Sequence, residues 1–174
     1  MESRAAEGYF RPRHNSPFGR AVAPPPGRSE APMATPERLA GLIDADDLRR
    51  RLSALVAEGA DGGNPAVRAK ALVILKEARL DARGRIHEML LADKRGVLCA
   101  ERLSHVQDEL IRVIYDFAVA HVYPVTNRSS AERMSIAAVG GYGRATLAPG
   151  SDIDLLFILP YKQTPWGESV VEYI

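Results

Sequence analysis

Apolar positions recur every three to four residues through much of the chain's centre. Leu103, Val106, Leu110, Val113, Phe117 and His121 mark one stripe, and their spacing predicts a helix over residues 99–121. Upstream, Leu72, Leu75, Arg79, Ile86 and Leu90 carry the same period, which predicts a helix from residue 66 to about residue 92, weakened locally by Gly84. A turn at Arg95-Gly96 joins them, so the two helices face each other and cover each other's apolar sides. Before them, EGADGGNP at residues 58–65 is a breaker. Thr35-Pro36-Glu37 has the form of a helix start, and Asp44 followed by Asp47 offers a second one ahead of Leu48, Leu52, Leu55 and Val56. Two short helices and one interrupted helix fit that stretch equally well.

From Asn127 the period shortens. Ser129 followed by Glu132 suits a capped helical turn, and Ser135 to Val139 reads as a short strand that Gly140-Gly141 ends. Residues 142–147 predict a brief helix, Pro149-Gly150 a turn, and Ile153 to Leu159 a second, strongly apolar strand. Tyr161 to Pro165 reads as a loop, and Trp166 to Ile174 as the start of an amphipathic helix. The fold class is therefore α/β, of the α+β kind: a helical region, 36–126, followed by the beginning of a sheet domain, 127–174. Two strands need more sheet around them to be stable, so the expectation is a fragment or the front end of a longer protein.

Composition changes this picture in two places. Residues 1–35 hold six of the 12 prolines, including Pro24-Pro25-Pro26, with scattered arginines and almost no aliphatic period, which predicts a disordered leader. Charge, by contrast, excludes more than it suggests. With 23 Lys+Arg against 22 Asp+Glu the net charge is +1, so nothing general points to nucleic acid or a membrane as partner. The basic residues of 68–95 are interleaved with Glu77, Asp81, Glu88 and Asp93 and read as a solvated helix face. The single cysteine, Cys99, rules out an intrachain disulfide and reads as a small buried residue. His87, His105 and His121 lack metal-pair spacing and read as structural or surface groups. No apolar run reaches the length of a membrane span, and a cytoplasmic location is the default expectation.

The chemistry lies in AAVGGYGRATLAPGSDIDLLFIL, residues 137–159, where two carboxylates interrupt an oily sequence. In a strand, Asp152 and Asp154 fall on one face with Cα atoms about 6.6 Å apart, while Ile153 and Leu155 point to the core. Two carboxylates so placed repel each other in isolation but converge on a hard cation such as Mg²⁺. Gly140 and Gly141 lead into a helix start, where missing side chains let a phosphate approach and unpaired N–H groups face it. Arg144 can add charge near a phosphate or pair with a carboxylate; Ser151 can bond a phosphate oxygen or cap the turn before the strand. The pattern is neither a P-loop, since no Lys-Ser or Lys-Thr follows the glycines, nor the G-x-G-x-x-G dinucleotide fingerprint.

Gly140-Gly141, ten residues, then Asp152-Ile153-Asp154 resembles the signature of the nucleotidyltransferase superfamily, which includes DNA polymerase beta and the poly(A) and CCA-adding enzymes. VGGYGRATLAPGSDIDLLFILPYKQTPWGESVVEY, with the preceding LSHVQDELIRVIYDFAVAHVYP, is similar to the amino-terminal region of bifunctional uridylyltransferase/uridylyl-removing enzymes acting on PII signalling proteins. That resemblance implies a polymerase-beta-like domain beginning near residue 127 and incomplete at Ile174. It further implies Mg²⁺- or Mn²⁺-dependent transfer of UMP from UTP to a tyrosine of PII, with pyrophosphate released and glutamine as effector of the full-length enzyme. Asp152 and Asp154 fall on the family's first two metal-binding carboxylates, Gly140 and Gly141 on its phosphate-cradling glycines, and Arg144 and Ser151 on supporting positions. A third carboxylate is expected beyond Ile174, so the isolated chain is expected to be inactive by itself. Ala145 stands where relatives often have a third glycine, a change that suits a helical backbone there. The alternatives are a nucleotidyltransferase with another base or acceptor, such as an adenylyltransferase, and a non-catalytic truncated product.

Overall fold

The structure is a computed structural model that describes residues 39, 41–56, 61–126, 132–159 and 163–174. The Pro-rich leader, the Thr35-Pro36-Glu37 helix start, the Ser129 cap and the Tyr161 end of the last loop lie outside the described residues. All described residues belong to one compact unit.

Helix α1, Ala45–Ala54, starts where its cap dictates: Asp44 keeps an extended backbone and its carboxylate accepts from the Asp47 N–H at 2.8 Å. Leu48 and Leu52, one turn apart, are its buried face. Helix α2, Pro65–Asp93, is capped by Asn64 with proline in its first turn, and it ends at Lys94, whose left-handed backbone (φ 53°) turns the chain. Helix α3, Gly96–Phe117, follows at once and widens into a π-helical turn, Ala118–Val122. Leu103, Val106, Leu110, Val113 and Phe117 are all buried, as their spacing requires.

The stripe of α2 is turned relative to the one its large aliphatics suggest. Its inward residues are Val67, Ala71, Ala82 and Ile86, with Leu75, Ala78 and Leu90 partly buried beside them. Leu72, Arg79 and Leu80 face solvent. The helix therefore buries small residues, Ala71 and Ala82, and leaves several leucines outside. Gly84 sits within the continuous helix.

The α2–α3 corner is held by a half-buried ion pair, Arg102 Nη1 to Asp93 Oδ2 at 2.8 Å, and by the Arg95 N–H donating to Asp93 Oδ1 at 2.9 Å. That backbone bond first, and the Arg102 contact second, hold the Asp93 carboxyl below its ordinary value. A depressed carboxylate contributes stability that is present above the unfolded-state value, near pH 4, and disappears as pH falls through the lower folded-state value. Denaturation midpoints of the wild type and Asp93→Asn should therefore differ at pH 6 and converge on acidification; a gap that persists at the lowest pH would show that Asp93 charge is not its source.

Strands β1, Ser135–Ala138, and β2, Leu155–Ile158, pair antiparallel with Ala138 opposite Leu155 and Ser135 opposite Ile158. Between them lies a four-residue helix, α4, Gly140–Gly143, in place of the predicted 142–147 helix. The second strand is also shorter than Ile153–Leu159. The ladder's last bond, Val139 N–H to the Asp154 carbonyl at 3.1 Å, is as far as it runs before Gly140 (φ +62°) takes the chain away. Ile136, Ala138, Ile153 and Leu155 turn inward and pack on the helical core. Val139, Leu156 and Ile158 remain exposed on the outer face. Helix α5, Pro165–Tyr173, is capped by Thr164 and returns to the helical region, where Trp166 Nε1 donates to the Tyr123 carbonyl at 2.9 Å and Tyr173 meets Tyr123 edge-on. No described helix is long and apolar enough to cross a membrane.

Candidate functional site

The segment from Ser135 to Ile158 is a strand, a connection that begins with a glycine turn, and a returning strand, and steric limits fix its shape. Gly140 sits at φ +62°, and a Cβ there would lie 2.9 Å from Asp154 Oδ2. Glycine thus serves two needs, a left-handed backbone and the close approach of a carboxylate. At Gly143 the limit is harder, since a Cβ would lie 2.4 Å from the Ala138 carbonyl oxygen, a backbone atom within β1.

The turn closes on the Gly141 carbonyl, which accepts from the Thr146 N–H and the Thr146 hydroxyl, both at 2.9 Å, and from the Arg144 N–H at 3.2 Å. Helix α4 is a single turn whose first amides have no intrahelical acceptor, and Val139 supplies no side-chain cap. Ala145 has φ +56°, so its backbone is left-handed and not helical as expected. A left-handed non-glycine residue is strained by about 1–2 kcal/mol, and glycine's extra unfolded-state freedom offsets part of the relief. Ala145→Gly should therefore raise stability by roughly 0.5–1 kcal/mol, read as a higher denaturation midpoint; an unchanged or lower midpoint would contradict the strain.

Asp152 and Asp154 are exposed, and Ile153 between them is partly buried. The two-residue alternation continues into β2, so both carboxylates share the outer face with Leu156 and Ile158. Among the described residues neither forms an ion pair, and no group of three or more His, Cys, Asp or Glu gathers there. Two solvent-open, unneutralised oxygen donors against a glycine that leaves room beside one of them suit Mg²⁺, which keeps several waters and takes only one or two carboxylates alongside phosphate oxygens.

The supporting positions are placed differently. Ser151 donates through both its N–H (3.1 Å) and its hydroxyl (2.9 Å) to the Ala148 carbonyl, closing the Pro149-Gly150 turn. Arg144 is exposed, forms no ion pair among the described residues, and lines a concavity with Glu101, His105 and Asp108 of α3. A separate cavity of about 230 Å³ lies under the inner face of the sheet, lined by Asp108, Ile111, Tyr115, Ile136, Tyr142 and Leu155 among others; Asp152 and Asp154 do not line it.

Four residues that the sequence pattern did not single out hold the turn in place. Tyr142 is buried, and its hydroxyl donates to Asp108 Oδ1 at 2.5 Å. Burial first, and the Asp108 carboxylate second, push the phenol far above its ordinary value, so it stays protonated and donating at any working pH. Leu147, also buried, donates its N–H at 3.3 Å to the hydroxyl of buried Ser104, which itself donates to the Ala100 carbonyl. Ser104 and Asp108 are one helical turn apart on α3, so one helix face grips both ends of the glycine turn. The available signal was Ser104, a polar residue between Leu103 and Val106 on a buried stripe.

A short strand, a glycine turn and an Asp-x-Asp segment leading into the returning strand are thus brought together within residues 135–158. The chain is 52% identical over 119 residues to a bifunctional uridylyltransferase/uridylyl-removing enzyme of Bradyrhizobium diazoefficiens, covering 68% of this chain and 13% of that protein. It is 47% identical over 146 residues to the same kind of enzyme from another Bradyrhizobium strain, covering 84% of this chain and 16% of the relative. It belongs to the family of bifunctional uridylyltransferase/uridylyl-removing enzymes and matches 13–16% of the length of these curated relatives. No family model and no solved structure matches it.

Proposed function

We propose that residues 135–158 form the phosphate- and metal-binding part of a nucleotidyltransferase centre, and that the full-length protein transfers UMP from UTP to a tyrosine of a PII protein. The observation that carries the reading is the closeness of Asp154 to the glycine turn: a Cβ on Gly140 would lie 2.9 Å from its carboxylate, which supports grouping the acid with the uncapped amides of α4. The uridylyltransferase activity for which the two relatives are named supports UTP as the nucleotide.

In this reading Asp152 and Asp154 hold Mg²⁺ or Mn²⁺, with the remaining ligands from water, triphosphate and a further carboxylate outside this chain. Bound there, the metal neutralises charge on the triphosphate and on the departing pyrophosphate. In this reading the amides of Gly140 and Gly141 would donate to phosphate oxygens, for which Gly140 leaves room beside Asp154. Tyr142 and Leu147 keep that turn seated on α3, and Ser151 keeps Asp152 at the mouth of the strand by closing the turn before it. Arg144, exposed beside Glu101 and Asp108 on the α3 side of the turn, supports the site with positive charge in this reading.

The test is a panel of labelled nucleoside triphosphates offered to the full-length protein with PII as acceptor. Incorporation of UMP is expected; incorporation of AMP without UMP would replace uridylyl transfer with adenylyl transfer, and incorporation of neither would overturn the reading.

A further inference from the structure

We infer that Tyr142 and Asp108 act together as positioning residues for nucleotide binding, holding the glycine turn against helix α3 in the shape that receives the triphosphate. The inference rests on the nucleotidyltransferase reading and adds to it a requirement for a helix outside the glycine and aspartate motifs.

Tyr142 lies between Gly141 and Gly143, in a turn whose other residues from Gly143 to Thr146 are exposed, yet it is itself 4% exposed. A phenol pulled inward from a glycine turn fixes the direction in which the neighbouring amides point. Its hydroxyl reaches Asp108, 34 residues earlier in the chain, at 2.5 Å, the short range of bonds to a charged acceptor. The second tether, Leu147 N–H to Ser104, fastens the other end of the turn one helical turn away on the same face. Between these two anchors the chain passes through left-handed Ala145 and the bonds converging on the Gly141 carbonyl, so the turn has little freedom to relax independently. The clamp lies on the inner side of the sheet and the carboxylates on the outer side, so Tyr142 and Asp108 act on a ligand only through the turn.

The experiment uses the full-length protein, with Tyr142→Phe, Asp108→Ala and the double variant. The affinity for Mg²⁺·UTP is measured by calorimetry at a temperature where circular dichroism shows each protein folded, and amide exchange is followed across residues 140–147. Each single change is expected to weaken binding by about 5–10-fold, and the double no further than the weaker single, because both remove one interaction. Exchange at Gly143 and Thr146 should accelerate while that of α2 stays unchanged. A purely structural role would lower the melting temperature and leave affinity within twofold of the wild type, and that result would overturn the inference. Additive losses would overturn it too, by showing that the two residues act separately. Should Asp108→Ala fail to fold, Tyr142→Phe and Ser104→Ala carry the test, each with weakened binding expected and unchanged binding contradictory. A wild-type full-length protein that binds no Mg²⁺·UTP would remove the inference together with the function it rests on, whereas binding by the wild type with indifferent variants removes the inference alone.

Discussion

Replacing Asp152 and Asp154 together by asparagine in the full-length protein is expected to reduce uridylyl transfer by at least roughly a thousandfold, because the charge that holds the metal beside the triphosphate is lost. Folding should be little affected. Both side chains are exposed and pair with no cation among the described residues, and Asp154 reaches the β1 ladder through its main-chain carbonyl, which asparagine retains. Uridylyl removal should survive, since the proposed site is assigned to transfer alone. The measurement is a pair of assays on one preparation, label incorporation into PII and release of label from modified PII. Retained incorporation would place the metal elsewhere; loss of both activities with a normal melting curve would show that one centre serves both.

Gly143→Ala should be the most damaging single-methyl change in the site. The added carbon would lie 2.4 Å from the Ala138 carbonyl oxygen and 2.8 Å from its carbon, and both atoms belong to the paired strand. Relief requires moving the turn off β1 or shifting the strand, at a cost of about 3 kcal/mol, the upper end of overpacking penalties. Gly140→Ala meets only a carboxylate oxygen, which can rotate aside, although its left-handed backbone adds strain. The two variants should therefore separate. Gly143→Ala should show a large drop in denaturation midpoint, whereas Gly140→Ala should show a smaller drop with a larger relative loss of nucleotide affinity. Equal midpoints would mean that the turn is looser than its geometry indicates.

Features that depend on neighbours in sequence were legible before the structure. The Asp44 cap, the stripe of α3, the Pro149-Gly150 turn and the alternation that puts Asp152 and Asp154 on one side all follow from local periods and local hydrogen bonds. Features set by partners distant in sequence were not. The inward face of α2 is set by the elements packed against it, which cover Ala71 and Ala82 and leave Leu72 and Leu80 outside. The start of β2 is fixed by where β1 runs out at Val139, and apolarity alone carries no information about that. Ala145 was expected in a helical backbone, but convergence of three donors on the Gly141 carbonyl bends the chain into the left-handed region there. Tyr142 sat unnoticed among glycines because its partner is 34 residues away on another element.

The central claim is that the glycine turn and the Asp-x-Asp segment form one metal-nucleotide site. Paramagnetic broadening of amide resonances on adding Mn²⁺ with UTP to the 174-residue chain tests it most directly, since broadening reports proximity to the metal even when binding is weak. Selective loss of signal at Gly140, Gly141, Asp152 and Asp154, absent in the Asp152→Asn/Asp154→Asn variant, is the predicted result. Broadening centred elsewhere, such as on the acidic residues of α3, or undiminished in that variant, would contradict it.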